Sequence, residues 1–86
     1  MSEPWSYAVT PPARRDLRRL DRPVKRRIVD ALDRFVADPF AADIRKLGPV
    51  EWRLRVGEWR VRFSFDDERR VIVVLRVLPR GRAYRD

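Results

Sequence analysis

Residues 52–63 constrain the fold more than any other segment, because apolar and basic residues alternate on both sides of Gly57-Glu58. Alternation with a period of two is typical of a half-buried β-strand. Two residues that begin with glycine, placed between two such runs, predict a tight hairpin turn of type II′. The segment is therefore predicted to form two antiparallel strands, at about 51–56 and 59–65, joined by this turn.

The predicted register places four arginines on one face of the hairpin. Arg55 is expected opposite Arg60, and Arg53 opposite Arg62, while the other face carries Trp, Leu and Val and is expected to contact a core. Like charges directly across a ladder are destabilising, and guanidinium groups pair bidentately with phosphate. We therefore interpret this face as a site for a polyanion. The alternative is a solvated outer face in an arginine-rich protein.

The composition favours an anionic partner and excludes several classes of site. The 86 residues carry a net charge of +8, which indicates nucleic acid first, although basic membrane-surface proteins share this composition. Neither cysteine nor histidine is present, so there is no disulfide, no thiolate nucleophile, and neither the commonest general base nor the commonest zinc ligand. The longest aliphatic run, residues 71–75, is too short for a bilayer span of ~20 residues. We expect a soluble, cytoplasmic protein that uses no metal and no cofactor.

The rest of the chain predicts two further strands and two helices. Alternating apolar residues predict a first strand at about 5–10, and Thr10-Pro11 is a helix-start signal for a short helix that reaches about Leu20. A second helix follows until Asp38-Pro39, and residues 39–50 are expected to form a connecting loop. The last strand, at about 70–78, is apolar on consecutive residues, which predicts a central strand covered on both faces.

These elements predict one domain over residues 1–86 and an α+β fold. Their order is β-α-α-β-β-β, with a two-helix hairpin packed on one face of a small, mostly antiparallel four-stranded sheet.

Any catalysis by this chain would have to rely on arginine and tyrosine, which suits cleavage of a phosphodiester. Arginines stabilise the charge that develops on a phosphate oxygen in the transition state. A tyrosine made acidic by neighbouring guanidinium charges could act as a base. Tyr84 lies among Arg80, Arg82 and Arg85 in the sequence. The alternative for Tyr84 is a packing role.

The C-terminal half resembles a known family. Residues 47–85, LGPVEWRLRVGEWRVRFSFDDERRVIVVLRVLPRGRAYR, are similar to the RelE branch of the RelE/ParE superfamily of small bacterial toxins, with RVGEWRV and RAYR as the closest segments. The resemblance implies the toxin of a type II toxin–antitoxin system. It implies a ribosome-dependent, metal-independent endoribonuclease, an mRNA interferase. Such an enzyme cleaves mRNA in the A site by attack of the 2′-hydroxyl and leaves a 2′,3′-cyclic phosphate. The implied partners are a cognate antitoxin, the ribosome and mRNA, with no membrane and no small-molecule cofactor.

The resemblance also assigns roles to individual residues. Arg60 takes the place of the arginine that stabilises the transition-state phosphate, Tyr84 that of the general base, and Arg80 that of the arginine near the leaving group. The residues expected to bind RNA phosphates are Arg53, Arg55, Arg62 and Arg82.

Some positions depart from the family pattern. Pro79 holds the position of a family histidine, and Arg82 that of a glutamate. Arg53 and Arg55 stand where well-known members have lysine, and arginine cannot readily exchange a proton. Two alternative functions therefore stay open: a ParE-like, non-enzymatic inhibitor of DNA gyrase, or a catalytically degenerate homologue that still binds its antitoxin.

Two further groups of residues have two interpretations each. Trp52 and Trp59 could stack on bases, but the hairpin register places them on the core side. The arginines of the first helix could follow ribosomal RNA phosphates or form a solvated helix face; they are Arg14, Arg15, Arg18 and Arg19.

Overall fold

The computed structural model describes residues 4–82, with the backbone alone for Arg82. Its helices and strands are β1 (Ser6–Val9), α1 (Pro11–Arg18), α2 (Arg22–Ala37), β2 (Ile44–Lys46), β3 (Trp52–Val56), β4 (Trp59–Asp66) and β5 (Val71–Pro79), with short 3-10 helices at Pro39–Ala41 and Arg80–Arg82. Within residues 4–82, no helix has the length and apolar character needed to cross a membrane.

The sheet has five strands in the order β1-β5-β4-β3-β2. β1 runs parallel to β5 and every other neighbouring pair is antiparallel. The α+β class and the mostly antiparallel sheet are confirmed, but the prediction of four strands is wrong. The additional strand is β2, which lies inside the predicted loop. Three residues, of which Ile44 alone is apolar, are too few to produce an alternating pattern, and the edge of β3 supplies their pairing partners.

Both helices pack on one face of the sheet, as predicted. Thr10 caps α1, because its Oγ1 accepts a hydrogen bond from the Ala13 N–H at 3.4 Å, and Pro11 opens the helix. α1 ends at Arg18, two residues before the predicted end at Leu20. The buried residues of the two helices join the inward residues of the strands in a single cluster. Those helical residues are Ala13, Leu17, Ile28, Leu32 and Phe35.

β5 pairs on both edges, with β1 and with β4, as a central strand does. Ile72 and Val74 are fully buried beneath the helices. Val71 and Val73, which point to the opposite face, are only half-buried. The prediction that both faces are covered is therefore wrong, because the two helices lie on one side only.

β5 extends beyond the end of β1, and there side chains bond to its free backbone edge in place of a neighbouring strand. The Thr10 Oγ1 hydroxyl lies 2.9 Å from the Val74 carbonyl oxygen and 3.2 Å from that of Leu75. Farther along, the Asp16 carboxylate accepts a 2.9 Å hydrogen bond from the Val77 N–H. Buried backbone groups need hydrogen-bond partners. Side chains that supply them also protect the strand edge from pairing with another chain.

Candidate nucleic-acid interface

The β3–β4 hairpin has the predicted turn and register. Gly57 has a φ of +58°, and Glu58 is not among the residues with positive φ, which is the pattern of a type II′ turn. Arg55 pairs with Arg60, and Arg53 with Arg62. Since directly paired residues project from the same face of a sheet, the four arginines share a face, opposite the helices.

A row of arginines crosses the sheet on this face. Arg45 of β2 pairs with Arg53, Arg53 with Arg62, and Arg62 with Arg76 of β5. We call these four residues the arginine row. Neighbouring strands lie about 4.8 Å apart, so the row extends over about 14 Å.

Sequence patterning missed both ends of the arginine row. Arg45 belongs to β2, which was not predicted. Arg76 enters the row because β5 has a bulge: Phe63 pairs with Val74 and Arg62 with Arg76, so Leu75 is an extra residue. A bulge of this kind leaves no signal in the alternation of one strand.

Two carboxylates offset the repulsion between Arg53 and Arg62. Asp43 Oδ1 lies 3.6 Å from Arg53 Nη1, and Glu51 forms an ion pair with Arg62. Both carboxylates lie outside the alternating segment 52–63, so its pattern does not reveal these counter-charges. Arg55, in the other facing pair, is exposed.

Arg60 is held in place by the turn of the hairpin. Its Nη1 donates hydrogen bonds of 2.9 Å each to the carbonyl oxygens of Gly57 and Trp59. The residue is only 6% exposed, and its Nε is buried without a hydrogen-bond acceptor among the described residues. Arginine stays protonated in proteins, so Arg60 is a fixed cationic donor in a largely desolvated position.

Arg80 lies at the same end of the sheet as Arg60. Its backbone N–H donates a 2.8 Å hydrogen bond to the Glu58 carbonyl oxygen, so the segment after β5 begins beside the hairpin turn. Leu78, two residues earlier, pairs with Arg60. The Arg80 side chain is exposed. Tyr84 and the side chain of Arg82 lie outside the described residues.

Asp16 orients Arg76 from the buried side of α1. Arg76 Nε donates to Asp16 Oδ2 at 2.8 Å and Arg76 Nη2 donates to Oδ1 at 3.1 Å, a bidentate pair. Burial alone would raise the pKa of Asp16. The hydrogen bonds from Arg76 and Val77 and the charges of Arg76 and Arg19 outweigh it and hold that pKa below its ordinary value of 3.8. Asp16 is therefore a buried carboxylate that stays ionised and fixes a guanidinium.

The model of one protein family matches nearly the whole chain. This family is described as the ParE toxin of the type II toxin–antitoxin system parDE, and it matches residues 7–84. The chain belongs to this toxin family. A comparison with curated protein sequences gave no match.

The toxin is also similar to solved structures of the RelE branch. A chain of the RelBE2 toxin–antitoxin complex from Mycobacterium tuberculosis is 27% identical, with 91% of this chain and 100% of that chain covered and a TM-score of 0.81. A chain of the archaeal RelE-RelB complex from Pyrococcus horikoshii OT3 is 26% identical, with coverages of 94% and 100% and a TM-score of 0.79. The predicted membership of the RelE/ParE superfamily is confirmed.

Both tryptophans of the hairpin contact the core of the toxin. Trp52 and Trp59 are half-buried and pack against the buried cluster, in agreement with their predicted register. The Trp52 ring meets Phe65 edge-on at 5.6 Å between centroids. Trp59 also forms part of a cavity of about 200 Å³ between the end of α1 and the end of β5.

Proposed function

We propose that this toxin is an endoribonuclease that cleaves mRNA in the ribosomal A site in the cytoplasm. In the reaction, a ribose 2′-oxygen attacks the adjacent phosphorus and the bond to the 5′-oxygen breaks. The products are a 2′,3′-cyclic phosphate and a 5′-hydroxyl. Neither a metal ion nor a cofactor is needed for this chemistry. The 2′-hydroxyl gives up its proton, and the leaving 5′-oxygen gains one from solvent.

The conformation of Arg60 carries this proposal. A buried N–H without an acceptor costs about 1–3 kcal/mol, so a fold that retains one at Arg60 Nε has a donor prepared for a ligand. A guanidinium fixed in advance is also the arrangement that best stabilises charge as it develops, because it need not reorganise during the reaction. A phosphate oxygen in the transition state is an acceptor of this kind.

The other roles follow the family resemblance and the position of each residue. Tyr84 takes the proton from the 2′-hydroxyl, and Arg80, beside the hairpin turn, lies near the leaving oxygen. The remaining arginines position the RNA backbone; they are Arg53, Arg55, Arg62 and Arg82. RNA phosphates compete with Asp43 for Arg53 and with Glu51 for Arg62. Without histidine the toxin lacks the commonest general base, so we expect the ribosome to align the 2′-hydroxyl for attack.

Growth of cells that produce the toxin tests the assignment of Tyr84. Tyr84→Phe removes one hydroxyl and keeps the ring, so we expect growth arrest to be abolished. Arg60→Ala should abolish it as well. Arg26→Gln, an exposed α2 position outside the proposed site, serves as the matched control and should stay toxic. Full toxicity of Tyr84→Phe would remove the general base from the proposal.

The match to the ParE toxin family favours a second candidate function, inhibition of DNA gyrase without RNA cleavage. This alternative predicts that the purified toxin blocks supercoiling of a relaxed plasmid by gyrase. Under the ribonuclease proposal, supercoiling is unaffected at toxin concentrations that cleave mRNA completely.

A cognate antitoxin is the remaining proposed partner, since the two solved relatives are toxin–antitoxin complexes. An acidic or amphipathic segment of that antitoxin would suit the basic sheet face and occlude it. Equal cleavage by the free toxin and by the toxin–antitoxin complex would contradict occlusion.

A further inference from the structure

A cavity of about 200 Å³ opens at the end of the sheet nearest Arg60 and Arg80, between α1 and the last residues of β5. We call it the α1–β5 pocket. It combines a cationic side with an apolar side. The residues that matter here are Asp16, Arg19, Trp59, Arg76, Leu78 and Pro79.

The cationic side has a fixed geometry. Arg76 lines the pocket and is held by the bidentate pair with Asp16; the Asp16 side chain is only 9% exposed, whereas that of Arg76 is 44% exposed. Arg19, the C-cap residue of α1, adds a second guanidinium. The described residues that line the pocket include two arginines and one carboxylate. An arginine whose rotamer is already fixed loses less entropy when it binds an anion.

The apolar side offers a flat aromatic surface. Trp59 pairs with Pro79 across β4 and β5, and Leu78 is a further apolar residue that lines the cavity. Trp59 is half-buried and lines the cavity. Stacking of a base on an aromatic side chain contributes about 1–3 kcal/mol and tolerates any base, because every base has a π-face.

We propose that the α1–β5 pocket binds one nucleotide of single-stranded RNA, with a phosphate on Arg76 and Arg19 and the base against Trp59. A phosphate beside an aromatic surface is the chemistry of a nucleotide, whereas inorganic phosphate would use the arginines alone. Asp16 acts as a positioning residue. It orients Arg76, but its own negative charge repels the phosphate, so it does not bind the ligand itself.

The position of the pocket gives it a place in the proposed cleavage. Trp59 and Leu78 are, respectively, the chain neighbour and the cross-strand partner of Arg60, and Arg80 follows Pro79 directly. Leu78, which lines the pocket, projects from the same face as its partner Arg60, so a nucleotide held here would direct its neighbouring phosphate toward Arg60 and Arg80. This part of the inference rests on the proposed ribonuclease function, and it makes the pocket the subsite for a nucleotide that flanks the scissile bond.

The test is NMR titration of the purified, full-length toxin with adenosine 5′-monophosphate, inorganic phosphate and adenosine. Three indole N–H resonances are expected from the three tryptophans, and that of Trp59 is identified by its loss in Trp59→Phe. We expect adenosine 5′-monophosphate to shift the Trp59 resonance and leave those of Trp5 and Trp52 in place. Arg19→Gln should weaken its affinity about tenfold, the effect of losing one charge-assisted hydrogen bond. Arg26→Gln removes the same charge elsewhere and should leave the affinity unchanged.

Each other outcome overturns the proposal. Equal affinity for inorganic phosphate would mean an anion site without a base, and equal affinity for adenosine would remove the arginines from the site. Equal weakening by Arg19→Gln and Arg26→Gln would indicate attraction to net charge alone, and no shift at Trp59 would exclude the pocket. The binding result is independent of cleavage: if mRNA stays intact on the ribosome while the expected shifts occur, the proposed function fails and the pocket stands.

Discussion

At the scale of single residues, two buried charges govern the described part of the site. Asp16 is 8% exposed and Arg60 is 6% exposed, and they are the buried charged residues among residues 4–81. A buried charge is costly unless it is paired and hydrogen-bonded. Asp16 is stabilised by Arg76 and by the Val77 N–H, while Arg60 is stabilised by two turn carbonyls. The first arrangement organises the pocket and the second organises the proposed catalytic arginine.

Asp16→Asn should destabilise the toxin, and the loss should depend on pH. At neutral pH we expect a decrease of about 2 kcal/mol in the free energy of unfolding, the scale of lost hydrogen bonds to a charged group. The pKa of Asp16 is lower in the folded than in the unfolded state. Its stabilisation is therefore complete above the unfolded pKa of 3.8 and is lost as the pH falls through the folded pKa.

Urea unfolding of the wild type and Asp16→Asn from neutral pH down to about pH 2 measures this contribution. The difference between the two proteins should be largest at neutral pH and should shrink in acid. A difference that stays constant over the whole range would show that the charge of Asp16 contributes nothing.

At the scale of elements, the β3–β4 hairpin was predictable, whereas β2 and the bulge in β5 were not. Alternation and Gly57 specify the turn and the register locally, so the facing arginines follow from the sequence. β2 has no pattern of its own and exists through its pairing with β3. The bulge at Leu75 depends on how β5 fits β4, and the role of Asp16 depends on β1 ending before β5 does. Such features arise from tertiary pairing, which a local pattern does not encode.

Arg55→Gln separates a phosphate-binding face from a solvated one. Arg55 is exposed and lies opposite Arg60, so removal of its charge should increase the free energy of unfolding by about 0.2–1 kcal/mol. The same change should weaken binding of a short single-stranded RNA, because one phosphate contact is lost. Arg26→Gln should change neither quantity. Urea unfolding measures the change in stability. Unaltered RNA affinity in Arg55→Gln would favour the solvated face.

At the scale of the whole molecule, one face of the sheet packs against the core and the opposite face carries positive charge. The helices cover one face and bury the core. The opposite face carries the arginine row with Arg55 and Arg60, in a chain of net charge +8. Asp43 and Glu51 neutralise part of that charge in the free toxin. The result is a basic surface whose carboxylates can be exchanged for phosphates.

Binding of single-stranded RNA should accordingly weaken with salt. Each phosphate neutralised contributes about 0.7 to the slope of log affinity against log salt concentration. Four hairpin arginines in contact with phosphates therefore predict a slope of about −3, and Arg55→Gln should reduce its magnitude by about 0.7. Fluorescence anisotropy of a labelled oligoribonucleotide over a salt series gives both values. A slope near zero would contradict an electrostatic interface.

Primer extension on a defined message in a reconstituted translation reaction shows whether the toxin cleaves mRNA in the ribosomal A site. We expect reverse transcription to stop within the A-site codon, at the new 5′-hydroxyl end of the downstream fragment, and no such stop with Tyr84→Phe or on the message without ribosomes. An intact message, in the presence of toxin that arrests growth in cells, would contradict the ribonuclease function and direct attention to gyrase.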